Sequence, residues 1–136
     1  MKLALAALPL ALALLSACAP PPRSPTDTGE PQNLTEADSG KRFDVFPNQE
    51  VVVRLASNRT TGYRWQLVDP RSAVAAVLGE PEYLAPASAR PGAGGTEVWR
   101  LRVMVAGQVT LVFEYRRPFE KGGPAARSAS FTLLAR

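Results

Sequence analysis

Few side chains in this sequence have the types and spacing that catalysis needs. The chain contains no histidine, which excludes histidine general bases, Ser-His and Cys-His nucleophile pairs, and histidine metal ligands. Its one cysteine, Cys18, cannot form an intramolecular disulfide. Two carboxylates, Glu97 and Glu114, fall on predicted strands and are interpreted as solvated positions. The sequence therefore indicates a protein that is not an enzyme, uses no metal or cofactor, and acts by binding.

The first candidate binding segment is a tight loop between two alternating apolar runs. Asn58 and Gly62 tolerate positive φ, and the two threonines between them are small and stiff at χ1. These properties predict a rigid loop that presents the threonines at its tip. Taken alone, the loop is better interpreted as a plain hairpin turn. Its residues are Asn58, Arg59, Thr60, Thr61, Gly62 and Tyr63.

Two further segments fall between predicted strands. Gly92, Gly94 and Gly95 could bring the backbone close to a partner, although this segment, taken alone, is better interpreted as a flexible hairpin loop. A phosphate cradle is excluded because a strand follows, where that motif needs a helix. In the third segment, Pro118 ends strand pairing, and Phe119 either folds onto the edge of the domain or contacts a partner.

Together, the three segments resemble the loops of the chagasin-type inhibitors of papain-like cysteine proteases. They occur in the family's order, and the resemblance covers Lys41 to Arg136. It implies an immunoglobulin-like domain whose three loops form a wedge that enters the protease's active-site cleft and inhibits reversibly. Thr60, Thr61 and Gly62 would then lie at the protease's catalytic cysteine and histidine. The implied protease-binding residues are Asn58, Arg59, Thr60, Thr61, Gly62, Tyr63, Gly92, Gly94, Gly95, Arg117, Pro118 and Phe119.

Arg59 departs from the family's motif, which has proline at this position. Proline would fix φ, so arginine is expected to leave the loop of the free protein looser. The expected loss in the free energy of binding to the protease is a few tenths to about 1 kcal/mol.

The N-terminal residues predict export and a lipid anchor. Residues 1–17 have a basic start and an apolar core typical of a secretory signal, and the four residues that end in Cys18 resemble a bacterial lipobox. The alternative is an ordinary signal peptide in which Cys18 is incidental. Lipidation would place the protein in the bacterial cell envelope, and in the outer membrane if the cell is Gram-negative. Residues 18–40 are rich in proline and polar residues, which predicts a disordered tether.

From residue 41 the pattern predicts seven to eight short strands separated by turn residues, with no helix. Trp99, Leu101 and Val103 alternate with polar residues most clearly. This pattern predicts one all-β domain, an antiparallel immunoglobulin-like β-sandwich over residues 41–136. Trp65, Trp99 and Phe113 are expected in its core. The three loops can gather at one end of such a sandwich.

Charge gives little indication of a partner. The 16 basic and 12 acidic residues leave a net charge of +4, which is interpreted as a solvated surface. No cluster of basic and aromatic residues indicates nucleic-acid binding.

We expect a monomer with a papain-like cysteine protease as its partner. The alternative is a structural or adhesive envelope lipoprotein, and the two functions differ in one requirement. The inhibitor needs Thr61 and Phe119 at the same end of the domain.

Overall fold

The computed structural model describes residues 29–69, 71–88 and 90–136. The predicted signal peptide and Cys18 lie outside the described residues. Within the described residues there is no α-helix, and two short 3₁₀ turns, Glu36–Asp38 and Arg59–Thr61, interrupt the strands. The nine strands are β1 (Gln32–Thr35), β2 (Arg42–Val45), β3 (Glu50–Ser57), β4 (Arg64–Leu67), β5 (Ala75–Val77), β6 (Glu82–Leu84), β7 (Gly95–Val103), β8 (Gly107–Arg116) and β9 (Arg127–Ala135).

The strands form two packed sheets. One sheet has the order β1-β3-β7-β5, and β6 also pairs with β7; the other has the order β2-β9-β8-β4. The predicted all-β sandwich is confirmed. The prediction that it is wholly antiparallel is wrong, because β1 runs parallel to β3 and β2 runs parallel to β9. Both parallel strands lie at sheet edges, where they are joined by the 3₁₀ turn that carries the chain from one sheet to the other.

Strand β1 adds the ninth strand and falls inside the predicted tether. Gln32–Thr35 pairs with Val51–Arg54, and Leu34 is fully buried in the core. The tether prediction for residues 18–40 is therefore wrong from Gln32 onward. The polar composition of this segment led to the prediction of disorder. The hydrogen bonds of β1 with β3 and the burial of Leu34 compensate for the conformational entropy lost when these residues become ordered.

The core lies between the sheets and is built from alternate residues of the long strands. The predicted inward positions of Trp65, Trp99 and Phe113 are confirmed, since all three are buried. Trp99 and Phe131 each meet the ring of Phe113 edge-on, at 5.4 and 6.1 Å between centroids. Edge-to-face pairs of this kind contribute beyond their buried area.

Strand direction gives the domain two distinct ends. We call the end that holds the β3–β4, β6–β7 and β8–β9 connections the loop end. At the other end, the Asn48 amide donates to Val103 at 2.8 Å, and the Gln49 side chain donates to Glu30 at 2.9 Å. The described chain therefore enters the domain at the end opposite the three loops.

Candidate functional site

The first loop is fixed by the side chain of Asn58. Its Oδ1 accepts hydrogen bonds from the amide and hydroxyl of Thr60, at 3.1 and 2.6 Å. Thr61 Oγ1 donates to the carbonyl of Asn58 at 2.7 Å. Gly62 closes the turn at φ 79°, a conformation that favours glycine, whereas Asn58 stays extended at φ −122°. The structure shows the predicted tight turn with both threonines exposed, and within this loop φ is positive at Gly62 alone.

The second loop is bonded to the first. Asn58 Nδ2 donates to the carbonyl of Gly92 at 3.0 Å. A Cβ on Gly94 would lie 3.3 Å from the carbonyl oxygen of Ser57, and a Cβ on Gly95 only 2.2 Å from that of Leu84. Gly94 and Gly95 thus permit close packing within the protein itself, which the sequence did not indicate. Gly92, at φ 80°, has open space around its Cβ position.

The third loop reaches the first through two contacts. A Cβ on Gly62 would lie 3.4 Å from Cε1 of Phe119, so the ring sits beside the glycine. The Arg117 guanidinium lies 4.7 Å from the centroid of the Tyr63 ring and pairs with Glu120 at 3.0 Å. Phe119 is nevertheless 72% exposed. Of the two alternatives for Phe119, the structure favours an exposed ring over one that covers the core.

Arg59 has an intramolecular partner that the sequence did not predict. Its guanidinium lies 4.2 Å from the centroid of the Tyr83 ring, on β6. Such cation–π contacts at exposed sites contribute about 0.5–1 kcal/mol. No local pattern links positions 59 and 83, because the pairing of β6 with β7 is what brings Tyr83 beside the first loop.

An aromatic stack supports the three loops from beneath. The ring of Tyr115 lies between Tyr63 and Trp65, with centroids 5.2 and 5.0 Å away. Its hydroxyl accepts a 2.8 Å hydrogen bond from the Asn58 amide, and Trp65 Nε1 donates to the Ala56 carbonyl at 2.9 Å. The stack therefore joins the core to both stems of the first loop.

Glu97 is the largest departure from the sequence-based interpretation. It was predicted to be solvated, but it is 2% exposed and lies between the sheets. One carboxylate oxygen accepts a 2.7 Å hydrogen bond from Ser57 Oγ, and the other accepts one of 3.3 Å from the Trp65 amide. These donors flank the first loop. A buried carboxylate is stable only when it is hydrogen-bonded in this way. Glu114 is partly exposed beside Arg116.

The structure therefore brings all twelve predicted loop residues to the loop end. Thr60, Thr61 and Phe119 are exposed there. Among the residues that the structure describes, no three histidine, cysteine or acidic side chains cluster so as to hold a metal. The arrangement offers an exposed, cross-braced surface suited to binding. Sequence reasoning missed Glu97, Tyr83 and Tyr115 as supports.

Comparison with known proteins identifies similar chains. Residues 44–133 match the family described as Chagasin family peptidase inhibitor I42. Chagasin from Trypanosoma cruzi is 33% identical over 105 residues, which cover 74% of this chain and 92% of chagasin. Amoebiasin-2 from Entamoeba histolytica is 25% identical over 107 residues, with coverage of 76% and 84%.

Solved structures share the fold. The cysteine protease inhibitor EhICP2 from Entamoeba histolytica has a TM-score of 0.66 at 23% identity, over 78% of this chain and 95% of its own. PbICP-C, solved in complex with falcipain-2, has a TM-score of 0.54 at 16% identity, over 79% and 90%.

Proposed function

Because this chain belongs to the chagasin family of peptidase inhibitors, we propose that it inhibits papain-like cysteine proteases reversibly by inserting its loop end into the active-site cleft. One observation carries the proposal. Thr61 and Phe119 lie exposed at the same end of the domain, on loops that meet at Gly62. The alternative of a structural or adhesive lipoprotein does not require that arrangement.

The first loop would block the protease without being cleaved. Hydrolysis requires an extended peptide whose carbonyl is aligned with the nucleophile and the oxyanion donors. Arg59–Thr61 instead forms a 3₁₀ turn, and Gly62 reverses the chain in the left-handed region. The hydrogen bonds of Asn58 hold this shape before binding, which lowers the entropic cost of association. The protein would thus act without any chemistry of its own.

The other two loops would contact the two walls of the cleft. Gly92, Gly94 and Gly95 present backbone on one side of the threonines, and Arg117, Pro118 and Phe119 lie on the other. An aromatic ring that is 72% exposed can bury a large apolar area on binding, and aromatic anchors of this kind often dominate binding energy. Phe119 is therefore the expected anchor of the third loop.

We also propose that Cys18 is lipidated and anchors the protein in the bacterial cell envelope. The described chain enters the domain next to Gln49, at the end opposite the loops, which supports a tether that leaves the loop end facing away from the membrane. In the described part of the chain, no helix is both long and apolar enough to cross a membrane. Metabolic labelling with a fatty-acid probe, lost in Cys18→Ser, would test lipidation.

The inhibition proposal is tested by titrating papain with the chain from Ala19 onward. We expect stoichiometric or tight inhibition that Thr61→Arg abolishes and Phe119→Ala weakens. Met104→Ala is the matched control, because Met104 is 51% exposed at the opposite end. Its inhibition should equal that of the unmodified protein. A folded protein that inhibits neither papain nor a panel of related proteases would overturn the proposal.

A further inference from the structure

The excess positive charge of the described residues is concentrated at the loop end. Seven basic side chains lie there with four acidic ones, whereas the rest of the described chain carries seven of each. The loop-end charges are Arg59, Arg64, Arg90, Arg116, Arg117, Lys121 and Arg127, with Glu36, Glu97, Glu114 and Glu120.

None of the acidic groups at the loop end is both exposed and unpaired. Glu97 is buried, and Glu36, Glu114 and Glu120 are each paired with an arginine at this end. Four exposed cations remain without an ion pair among the described residues: Arg59, Arg64, Arg90 and Lys121. They come from all three loops or their stems, so the unneutralised charge surrounds Thr60 and Thr61.

We infer that these cations select papain-like proteases whose active-site cleft is bordered by carboxylates, and that they act by accelerating association. The inference deepens the proposed inhibitory function and rests on it. Complementary charge steers encounter and raises the association rate far more than it slows dissociation. The cations are exposed and unpaired, so their field extends into solvent over about 8 Å at physiological salt.

A nucleic acid fits this surface less well than a protein cleft. Phosphate backbones favour a continuous row of cations, but here the charges surround a projecting apolar ring, Phe119, and two threonines. Tyr63, Tyr115 and Trp65 stack on each other, and Arg59 covers one face of Tyr83, which leaves Phe119 as the one strongly exposed ring of the described loop end. A cleft with an apolar wall and an acidic border matches both features.

The test measures association and dissociation rates by stopped flow between 20 and 300 mM NaCl. The probe is a papain-like protease with several carboxylates around its cleft, together with its variant in which those carboxylates are amides. For the protease with carboxylates around its cleft, we expect the association rate to fall about tenfold or more as the salt concentration rises, while the dissociation rate changes less than twofold. The amide variant should associate slowly at every salt concentration.

Charge reversal identifies the residues. The double variant Arg90→Glu with Lys121→Glu should associate about tenfold more slowly, at low salt, with the protease that has carboxylates around its cleft. Arg42→Glu with Arg71→Glu makes the same change in net charge away from the loops, and it should leave the rate within twofold. Equal effects of the two pairs would overturn the inference, because net charge and not its position would then matter.

Other outcomes separate this inference from the proposed function. Inhibition that is equally fast for both protease forms and insensitive to salt would overturn the charge selection alone. A folded protein that inhibits neither form would overturn both. Tight binding of a labelled 20-base-pair duplex at 150 mM salt, lost in Arg90→Glu with Lys121→Glu, would assign the surface to nucleic acid instead.

Discussion

The hydroxyl of Ser57 donates a 2.7 Å hydrogen bond to the carboxylate of Glu97, 40 residues further along the chain. Ser57 is the last residue of β3 before the first loop, and Glu97 follows the second loop on β7. The other carboxylate oxygen accepts from the Trp65 amide, where the chain leaves the first loop. One buried group therefore fixes both stems of the segment that is proposed to fill the protease site.

Glu97→Gln is expected to loosen this arrangement. The glutamine side chain has one acceptor oxygen where Glu97 has two, so the Ser57 hydroxyl or the Trp65 amide loses its acceptor. We expect a loss of about 1–3 kcal/mol in the free energy of unfolding. Inhibition should weaken severalfold even where the protein is fully folded, because the loop is less fixed. Urea unfolding and inhibition constants measure the two effects.

The control for this prediction is Glu50→Gln. Glu50 is partly exposed and pairs with Arg100 away from the loop end, so its replacement should cost no more than about 1 kcal/mol and leave inhibition unchanged. A Glu97→Gln protein as stable and as inhibitory as the unmodified one would contradict a supporting role for the buried carboxylate.

Asn58 performs two tasks that aspartate can separate. Asn58→Asp keeps the oxygen that caps the Arg59–Thr61 turn but removes the donor to Gly92. It should therefore retain most stability while weakening inhibition, because the second loop is released. Asn58→Ala loses both functions, and removal of the cap should cost a further 0.5–2 kcal/mol or so, typically about 1. Equal inhibition by Asn58→Asp and the unmodified protein would show that the Gly92 bond is dispensable.

Arg59→Pro should change stability little. Proline gains about 0.4–1 kcal/mol by restricting the unfolded chain, and Asn58 already has the extended conformation that precedes proline. The loss of the contact with Tyr83 costs a similar amount. Arg59→Ala loses the contact without this gain and should be the least stable of the three by thermal unfolding. A melting temperature for Arg59→Ala above that of Arg59→Pro would contradict this balance.

Gly95→Ala should disrupt the pairing of β6 with β7. The new Cβ would lie 2.2 Å from the Leu84 carbonyl and 2.7 Å from the Tyr83 ring, so backbone must move. Overpacking of this kind typically costs about 1–3 kcal/mol. Gly94→Ala is the matched control, since its nearest contact is 3.3 Å and needs only a small adjustment. Denaturant unfolding that ranks Gly94→Ala as the more damaging change would contradict the packing described for Gly95.

Asp38 predicts a pH dependence of stability at the start of the domain. The hydrogen bond from Lys41, with those from the amide and hydroxyl of Thr35, lowers the pKa of Asp38 below its usual value near 3.8. A lowered pKa in the folded state gives stability that is present above the unfolded pKa and is lost as pH falls through the folded pKa. Unfolding measured between pH 5 and 2 should show a shallower loss in Asp38→Asn. An identical pH profile would exclude this contribution.

Much of the sandwich could be predicted from the sequence, because apolar and polar side chains alternate along the long strands. The patterns around Trp65, Trp99 and Phe113 predict β4, β7 and β8, and the turn residues between them mark the three loops. The pairing of β1 could not be predicted, because this four-residue strand has one apolar side chain, Leu34, and therefore no alternating pattern. Parallel pairing between distant edge strands has no local signal at all.

The burial of Glu97 did have a signal. Positions 97, 99, 101 and 103 share one face of β7, and Trp99, Leu101 and Val103 were correctly placed inside. The same alternation predicts that Glu97 is buried as well. The interpretation of Glu97 as solvated relied on its charge and not on its position in the alternating pattern. The contact between Arg59 and Tyr83 could not be predicted, because it depends on where β6 joins its sheet.

The parallel pairing of β2 with β9 has a consequence for the timing of folding. Val45 lies opposite Ala135, so this edge of the second sheet joins residues 90 positions apart. Such distant contacts slow folding, because the entropy of closing a long loop must be lost before this pair of strands forms its stabilising contacts. A nascent chain cannot complete the second sheet until β9 has left the ribosome. The domain is therefore expected to finish folding only after the synthesis of β9.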